Sequence, residues 1–80
     1  MQATSHLLVA DSIGELAAFE QLVRHLARHV YRYEYRVLRV RWMADQHCYA
    51  VEIESDLTLD HLRKAAEPFG SSMRVEFAEI

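Results

Sequence analysis

Two histidines four residues apart are the first side chains whose spacing could hold a metal ion. His25 and His29 fall within a predicted helix, where this separation places two imidazoles on one face. A zinc site needs at least a third protein ligand, and the neighbouring Arg24 and Arg28 would repel a cation. The sequence therefore predicts no metal site, and nothing in it indicates a cofactor.

The segment from residue 29 to 42 alternates aromatic and basic side chains, which is a pattern that could bind nucleic acid. RNA-recognition modules stack bases on aromatic residues in the two central strands of a four-stranded sheet. Here the helix-free face of the predicted third strand carries Ala50, Glu52 and Glu54. That face has no aromatic ring and the wrong charge, so nucleic-acid binding is not expected.

Recognisable catalytic motifs are missing from the chain. There is no glycine-rich phosphate loop, no nucleophile elbow and no paired-carboxylate signature. Cys48 follows His47 near the start of a strand, where neighbouring side chains point to opposite faces. Because no basic cluster adjoins it in sequence, Cys48 is better explained as a small strand residue than as a nucleophile. We therefore expect a protein that is not an enzyme.

Charge is segregated along the chain. Residues 24–41 hold six of the nine basic residues and one acidic residue, whereas residues 45–80 hold eight acidic and three basic residues. The net charge of −3 argues against general attraction to nucleic acid or anionic lipid. The length of 80 residues predicts one small domain, residues 1–80. A single cysteine and the lack of a long apolar run favour the cytoplasm and no contact with a membrane.

Hydrophobic periodicity predicts six elements in the order β-α-β-β-α-β. Ser12 and Glu15 have the capping-box spacing at the start of the first helix, Thr58 can cap the second, and Pro68 and Gly70 end it. The predicted ranges are 6–10 for the first strand, 13–30 for the first helix, about 33–42 and 48–55 for a hairpin, 59–69 for the second helix, and 73–80 for the last strand.

Opposite charges and apolar residues together predict the register of the central hairpin. Closing its turn at Asp45 and Gln46 aligns both faces at once, with a β-bulge near Val37 and Leu38 absorbing a change of phase. The predicted pairs are Trp42–Tyr49, Val40–Val51, Leu38–Ile53, Arg39–Glu52 and, across the bulge, Arg36–Glu54.

This order of elements predicts an α+β fold of the ferredoxin-like, split βαβ type. Short connections and right-handed crossovers favour a four-stranded antiparallel sheet with both helices on one face. The first and third strands should be central, and the second and fourth should lie at the edges.

A cluster of tyrosine, arginine and histidine side chains is the predicted binding surface. The bulge should place the three tyrosines on the face opposite Val40 and Trp42, which leaves exposed rings at a sheet edge. In a competing account the helix continues to Tyr33 and its rings tuck beneath the sheet. The candidate binding residues are Tyr31, Tyr33, Tyr35, Arg28, Arg32, His25 and His29.

These observations favour a small non-enzymatic binding or regulatory module that acts through protein–protein contacts. It would be an adaptor or an inhibitor, of the kind found in phages and mobile elements, and its partner is another protein or a second copy in a homodimer. The alternative is a small-ligand domain. ACT-type regulatory domains have the same order of elements and bind amino acids, usually through a glycine-containing loop after the first strand, where Gly14 lies.

Overall fold

The computed structural model describes residues 4–78, which form one antiparallel sheet of four strands with two helices. The strand order is β2-β3-β1-β4. The elements are β1 (Thr4–Ala10), α1 (Ile13–His25), β2 (Tyr35–Met43), β3 (Cys48–Ser55), α2 (Leu59–Ala66) and β4 (Met73–Phe77).

The predicted α+β class is confirmed, as is the placement of β1 and β3 at the centre and of β2 and β4 at the edges. Strand β3 lies between β1 and β2, which is the split βαβ arrangement. Two additional helical segments distinguish the chain from a plain six-element βαββαβ unit. A π-helical segment, Leu26–Tyr31, continues α1, and a 3₁₀ segment, Glu67–Ser72, follows α2.

Both helices begin at side-chain caps that the sequence predicts. Ser12 Oγ accepts a hydrogen bond from the backbone N–H of Glu15 at 3.2 Å. Thr58 Oγ1 accepts from the backbone N–H of His61, and His61 Nδ1 accepts from the backbone N–H of Thr58 at 3.1 Å. The second helix thus has a capping box that histidine closes in place of the usual glutamate or glutamine.

The hairpin register is confirmed at four of the predicted pairs. These pairs are Trp42–Tyr49, Val40–Val51, Arg39–Glu52 and Arg36–Glu54. The bulge lies between Val37 and Arg39, close to its predicted position. The predicted pairing of Leu38 with Ile53 is wrong, because Leu38 is itself the extra residue of the bulge and Val37 takes its place opposite Ile53.

The main core fills the space between the helices and the sheet. Phe19, Leu16 and Val23 of α1 are fully buried against Leu8 and Ile53 of the two central strands. Helix α1 packs over β1 and β3, whereas α2 packs over β4. The helix-facing surface of β2 is therefore only partly covered. On the opposite face of the sheet, a smaller apolar cluster consists of Leu7, Val9, Cys48 and Ala50.

Strand β1 carries a buried histidine. His6 of β1 is almost completely buried, and its ring stacks on Phe77 with 5.4 Å between ring centres. Among the described residues, neither ring nitrogen has a hydrogen-bond partner of good geometry. Burial lowers the pKa of His6. The nearby polar backbone of Leu57 raises this pKa by a smaller amount, so the net shift is downward. The neutral ring is therefore the form that this site favours.

Candidate binding site

Tyr35, one of the predicted binding residues, is a core residue. Only 8% of it is exposed, and its hydroxyl donates a hydrogen bond to Glu20 Oε2 at 2.7 Å. Arg24 donates to both oxygens of the same carboxylate, at 3.0 and 2.6 Å. Burial, together with the hydrogen bond to Glu20, raises the pKa of Tyr35 far above its usual value. Tyr35 thus joins β2 to α1 and offers little surface to a partner.

Tyr31 and Tyr33 lie before β2, next to helix α2. Their rings stack with 5.5 Å between centres, and the Tyr31 ring also lies 4.6 Å from that of His61. Tyr33 is half-buried against the core and Tyr31 is 39% exposed. The prediction that three tyrosines form an exposed row on the strand is therefore wrong. The backbone instead stays helical to Tyr31 and turns at Arg32, whose φ of 60° is left-handed, as in the competing account of a longer helix.

The remaining four predicted binding residues are exposed and lie at or just after the C-terminal end of the first helix, a region that we call the basic helix end. His25 and His29 are neighbours, with 5.0 Å between ring centres, and Arg28 lies beside them. Arg28 and Arg32 are exposed, and neither forms an ion pair with a carboxylate of the part of the chain described. Within residues 4–78, no three metal-ligating side chains come together at one place. The structure thus brings His25, Arg28 and His29 together on one surface, and Arg32 follows Tyr31 at the C-terminal cap of the π-helical segment.

An exposed apolar groove between α1 and β2 was not predicted from the sequence. Its floor includes Leu16 and Val51, and its volume is about 330 Å³. The exposed apolar side chains of the groove and its extension along the hairpin are Ile13, Val37, Val40, Trp42 and Tyr49. We refer to these five residues as the apolar groove. Val40 is 60% exposed and Trp42 is 54% exposed, although the sequence places both on the inward face of the hairpin.

The two ends of the apolar groove differ in chemistry. At one end lies the Glu20–Arg24 ion pair. At the hairpin end, the rings of Trp42 and Tyr49 meet edge to face with 4.9 Å between centres, and His47 lies 6.4 Å from Trp42. The alternating apolar residues of β2 are visible in the sequence. Their exposure is not, because it depends on where α1 crosses the sheet.

Arginines form a row on the opposite face of β2. Arg36 Nη2 lies 2.7 Å from Glu54, whereas Arg39 and Arg41 approach the single carboxylate of Glu52 at 3.4 and 3.7 Å. Ala50, Glu52 and Glu54 of β3 occupy this helix-free face, as predicted. The arginines of β2 are thus partly neutralised by acidic residues of β3, since three arginines share two carboxylates.

Comparison with known protein families, with curated proteins and with solved structures finds no match. No helix among the described residues is long and apolar enough to span a bilayer. The surface features that bear on function are therefore the apolar groove, the basic helix end and the edge of the sheet.

Proposed function

We propose that this chain is a non-enzymatic protein-binding module, an adaptor or an inhibitor, and that the apolar groove with strand β2 is its docking surface. The observation that carries this proposal is the exposure of five large apolar side chains on one side of the sheet, three of them on the edge strand β2. Tryptophan and tyrosine are enriched among the residues that dominate binding energy at protein interfaces. A cluster of exposed apolar side chains on so small a domain is better explained by a partner than by solvent.

A small-ligand domain of the ACT type is the second candidate. The part of the apolar groove between α1 and β2 has a volume of about 330 Å³, which falls within the range of small-molecule sites, and Ile13, which lines it, adjoins Gly14. Gly14 itself has open space where a side chain would lie, so none of the described residues packs closely against this glycine. Protein binding is therefore the preferred function.

A second docking surface would be the basic helix end. Arg28 and Arg32 present positive charge here beside the two imidazoles, and Val30 and Tyr31 are the exposed large apolar side chains of this region. Such a surface can steer an acidic partner and adds less to affinity than a desolvated apolar contact. We infer that the basic helix end orients the partner and that the apolar groove provides most of the affinity.

The single buried thiol of Cys48 suits a reducing compartment such as the cytoplasm.

Affinity capture from the source cell with matched surface variants tests the proposal. We expect Val40→Ser and Trp42→Ser to lose the captured partner with little change in melting temperature, because both side chains are already exposed. Phe77→Ser is the control, since Phe77 is 57% exposed at the other edge of the sheet. If only Arg28→Ser lost the captured partner, the basic helix end and not the apolar groove would be the docking surface.

Two further measurements separate the alternatives. A metabolite that raises the melting temperature of the free chain would favour the small-ligand domain, because a ligand that binds only the folded state stabilises it. Light scattering at about 50 μM tests whether the partner is a second copy, as in a homodimer of micromolar affinity. A dimer that dissociates in Trp42→Ser would make self-association the function of the apolar groove.

A further inference from the structure

The structure points to a specific kind of partner. We propose that the docking segment is an extended strand of alternating apolar and acidic residues that adds to β2 as a fifth strand of the sheet. This inference rests on the proposed function and specifies the chemistry of the segment that the protein recognises.

The backbone of β2 provides the first part of the site. This strand has nine residues and pairs only with β3 among residues 4–78. An edge strand presents a row of N–H and C=O groups without partners in the sheet. Partners that add a strand to such an edge gain affinity from main-chain hydrogen bonds and specificity from alternate side chains.

The two faces of β2 provide the second part. Val37 and Val40 line the groove on the helix side of the sheet, and Trp42 lies on the same side at the hairpin end. The second set of side chains points to the helix-free side. It consists of Arg36, Arg39 and Arg41, whose side chains are 68%, 65% and 45% exposed. Because successive residues of a strand face opposite sides, an added strand contacts both surfaces at once. A helix lying in the apolar groove would contact only one of them.

Strand β3 shows which side chains complement the two faces. Its Val51 and Ile53 lie on the groove side, and its Glu52 and Glu54 face the arginines. The three arginines of β2 have two carboxylates in β3, so one positive charge is in excess. A strand with the same apolar–acidic alternation is therefore complementary to the outer edge of β2 as well.

A second copy of β2 fits this edge poorly. Pairing two such strands antiparallel would bring two rows of arginines beside each other, and like charges on facing strands are destabilising. The β4 edge is a weaker site for an added strand. It has five residues, its Arg74 and Glu76 pair with each other at 3.9 Å, and its exposed Phe77 already stacks on His6. The partner is therefore an acidic segment of another protein, bound at β2.

A synthetic peptide tests the inference directly. The probe is Thr-Val-Glu-Val-Glu-Val-Thr with both ends blocked, and the reporter is the fluorescence of Trp42, the only tryptophan of the chain. We expect a saturable change in emission that weakens as salt is added, because the contact is partly electrostatic. The same peptide with lysine in place of glutamate should bind at least about tenfold more weakly. In Arg39→Gln/Arg41→Gln the two peptides should differ much less.

Backbone methylation distinguishes strand addition from other modes of binding. Two versions of the probe carry N-methyl groups on the valines or on the glutamates, which block opposite edges of an extended peptide. We expect one version to lose binding and the other to retain it. Phe77→Ser should bind the unmodified probe as the wild type does, since Phe77 lies at the far edge of the sheet.

Several results would overturn the inference while leaving the proposed function intact. They are equal binding of the glutamate and lysine peptides, insensitivity to both methylation patterns, no binding at about 1 mM probe, and preference for an amphipathic helical peptide. Capture of the natural partner that is unaffected by Val40→Ser would instead refute the proposed function of the apolar groove, whatever the peptides do.

Discussion

Removing one buried hydroxyl should measure how strongly β2 is joined to α1. Tyr35→Phe keeps the ring in the core and deletes only the group that donates to the Glu20 carboxylate at 2.7 Å. Glu20 retains its two hydrogen bonds from Arg24, so the substitution leaves no unpaired buried charge. The expected loss of stability is therefore that of one hydrogen bond to a charged group.

The magnitude follows from the setting of that bond. Hydrogen bonds to charged groups contribute roughly 1.5–3 kcal/mol, and the retained Arg24 contacts favour the lower end, about 1.5 kcal/mol. For a domain of this size, each kcal/mol corresponds to roughly 4–8 °C in melting temperature, so Tyr35→Phe should melt about 6–12 °C lower. Tyr35→Ala also leaves a cavity and should cost roughly 3–5 kcal/mol, enough to unfold a domain of modest stability.

Thermal unfolding followed by circular dichroism is the assay, with Tyr31→Phe as the matched control. Tyr31 is partly exposed, and its hydroxyl has no hydrogen-bond partner within residues 4–78. The melting temperature of Tyr31→Phe should therefore stay close to that of the wild type. Equal melting temperatures for Tyr35→Phe and Tyr31→Phe would refute the reasoning, because the Glu20 bond would then contribute nothing to the folded state.

The same hydroxyl predicts a pH dependence. The folded state raises the pKa of Tyr35 above the unfolded value of 10.0. Above about pH 10 the unfolded chain therefore loses this proton while the folded chain retains it, and stability falls as pH rises. Tyr35→Phe should lose less stability than the wild type between pH 9 and 11, when denaturant midpoints are compared at about these values. An unchanged slope would contradict the assignment.

Three further predictions concern other parts of the molecule. Burial lowers the pKa of His6 below the unfolded value of 6.5, so stability should fall as pH decreases from about 6.5 towards the folded pKa. Urea midpoints measured between about pH 7.5 and 5.5 should therefore change less with pH in His6→Leu than in the wild type, and identical slopes would contradict this. Glu52→Arg should be less stable than Glu52→Ala by about 1 kcal/mol or less, and should melt at a lower temperature, because it places a like charge beside Arg39 and Arg41. An equal effect of the two variants would argue against charge as a determinant of register. Gel shifts at about 150 mM salt should show no submicromolar binding of single- or double-stranded oligonucleotides.

Local chemistry made the hairpin and the helix starts predictable. The turn at Asp45 and Gln46 links strands that are adjacent in the chain, so few registers are available. Of these, the observed one pairs Arg39 with Glu52 while keeping Val40 beside Val51. Helix caps are equally local, because a cap and its partner lie within three residues of each other. Such interactions leave a pattern that can be read without knowledge of the tertiary structure.

The exposure of particular side chains was decided by the packing of distant elements. Val40 and Trp42 have the alternation of inward strand residues, yet α1 covers β1 and β3 and stops short of them. Tyr35 has the same parity as Tyr31 and Tyr33, but only Tyr35 belongs to the strand, because a π-helical segment carries α1 on to Tyr31. The sequence by itself determined the class of fold, the order of the elements along the chain and, apart from the bulge residue, the hairpin register, since these depend on periodicity and neighbouring charges. The tertiary structure alone decided which apolar and aromatic residues reach the surface, because that depends on how far each helix extends across the sheet.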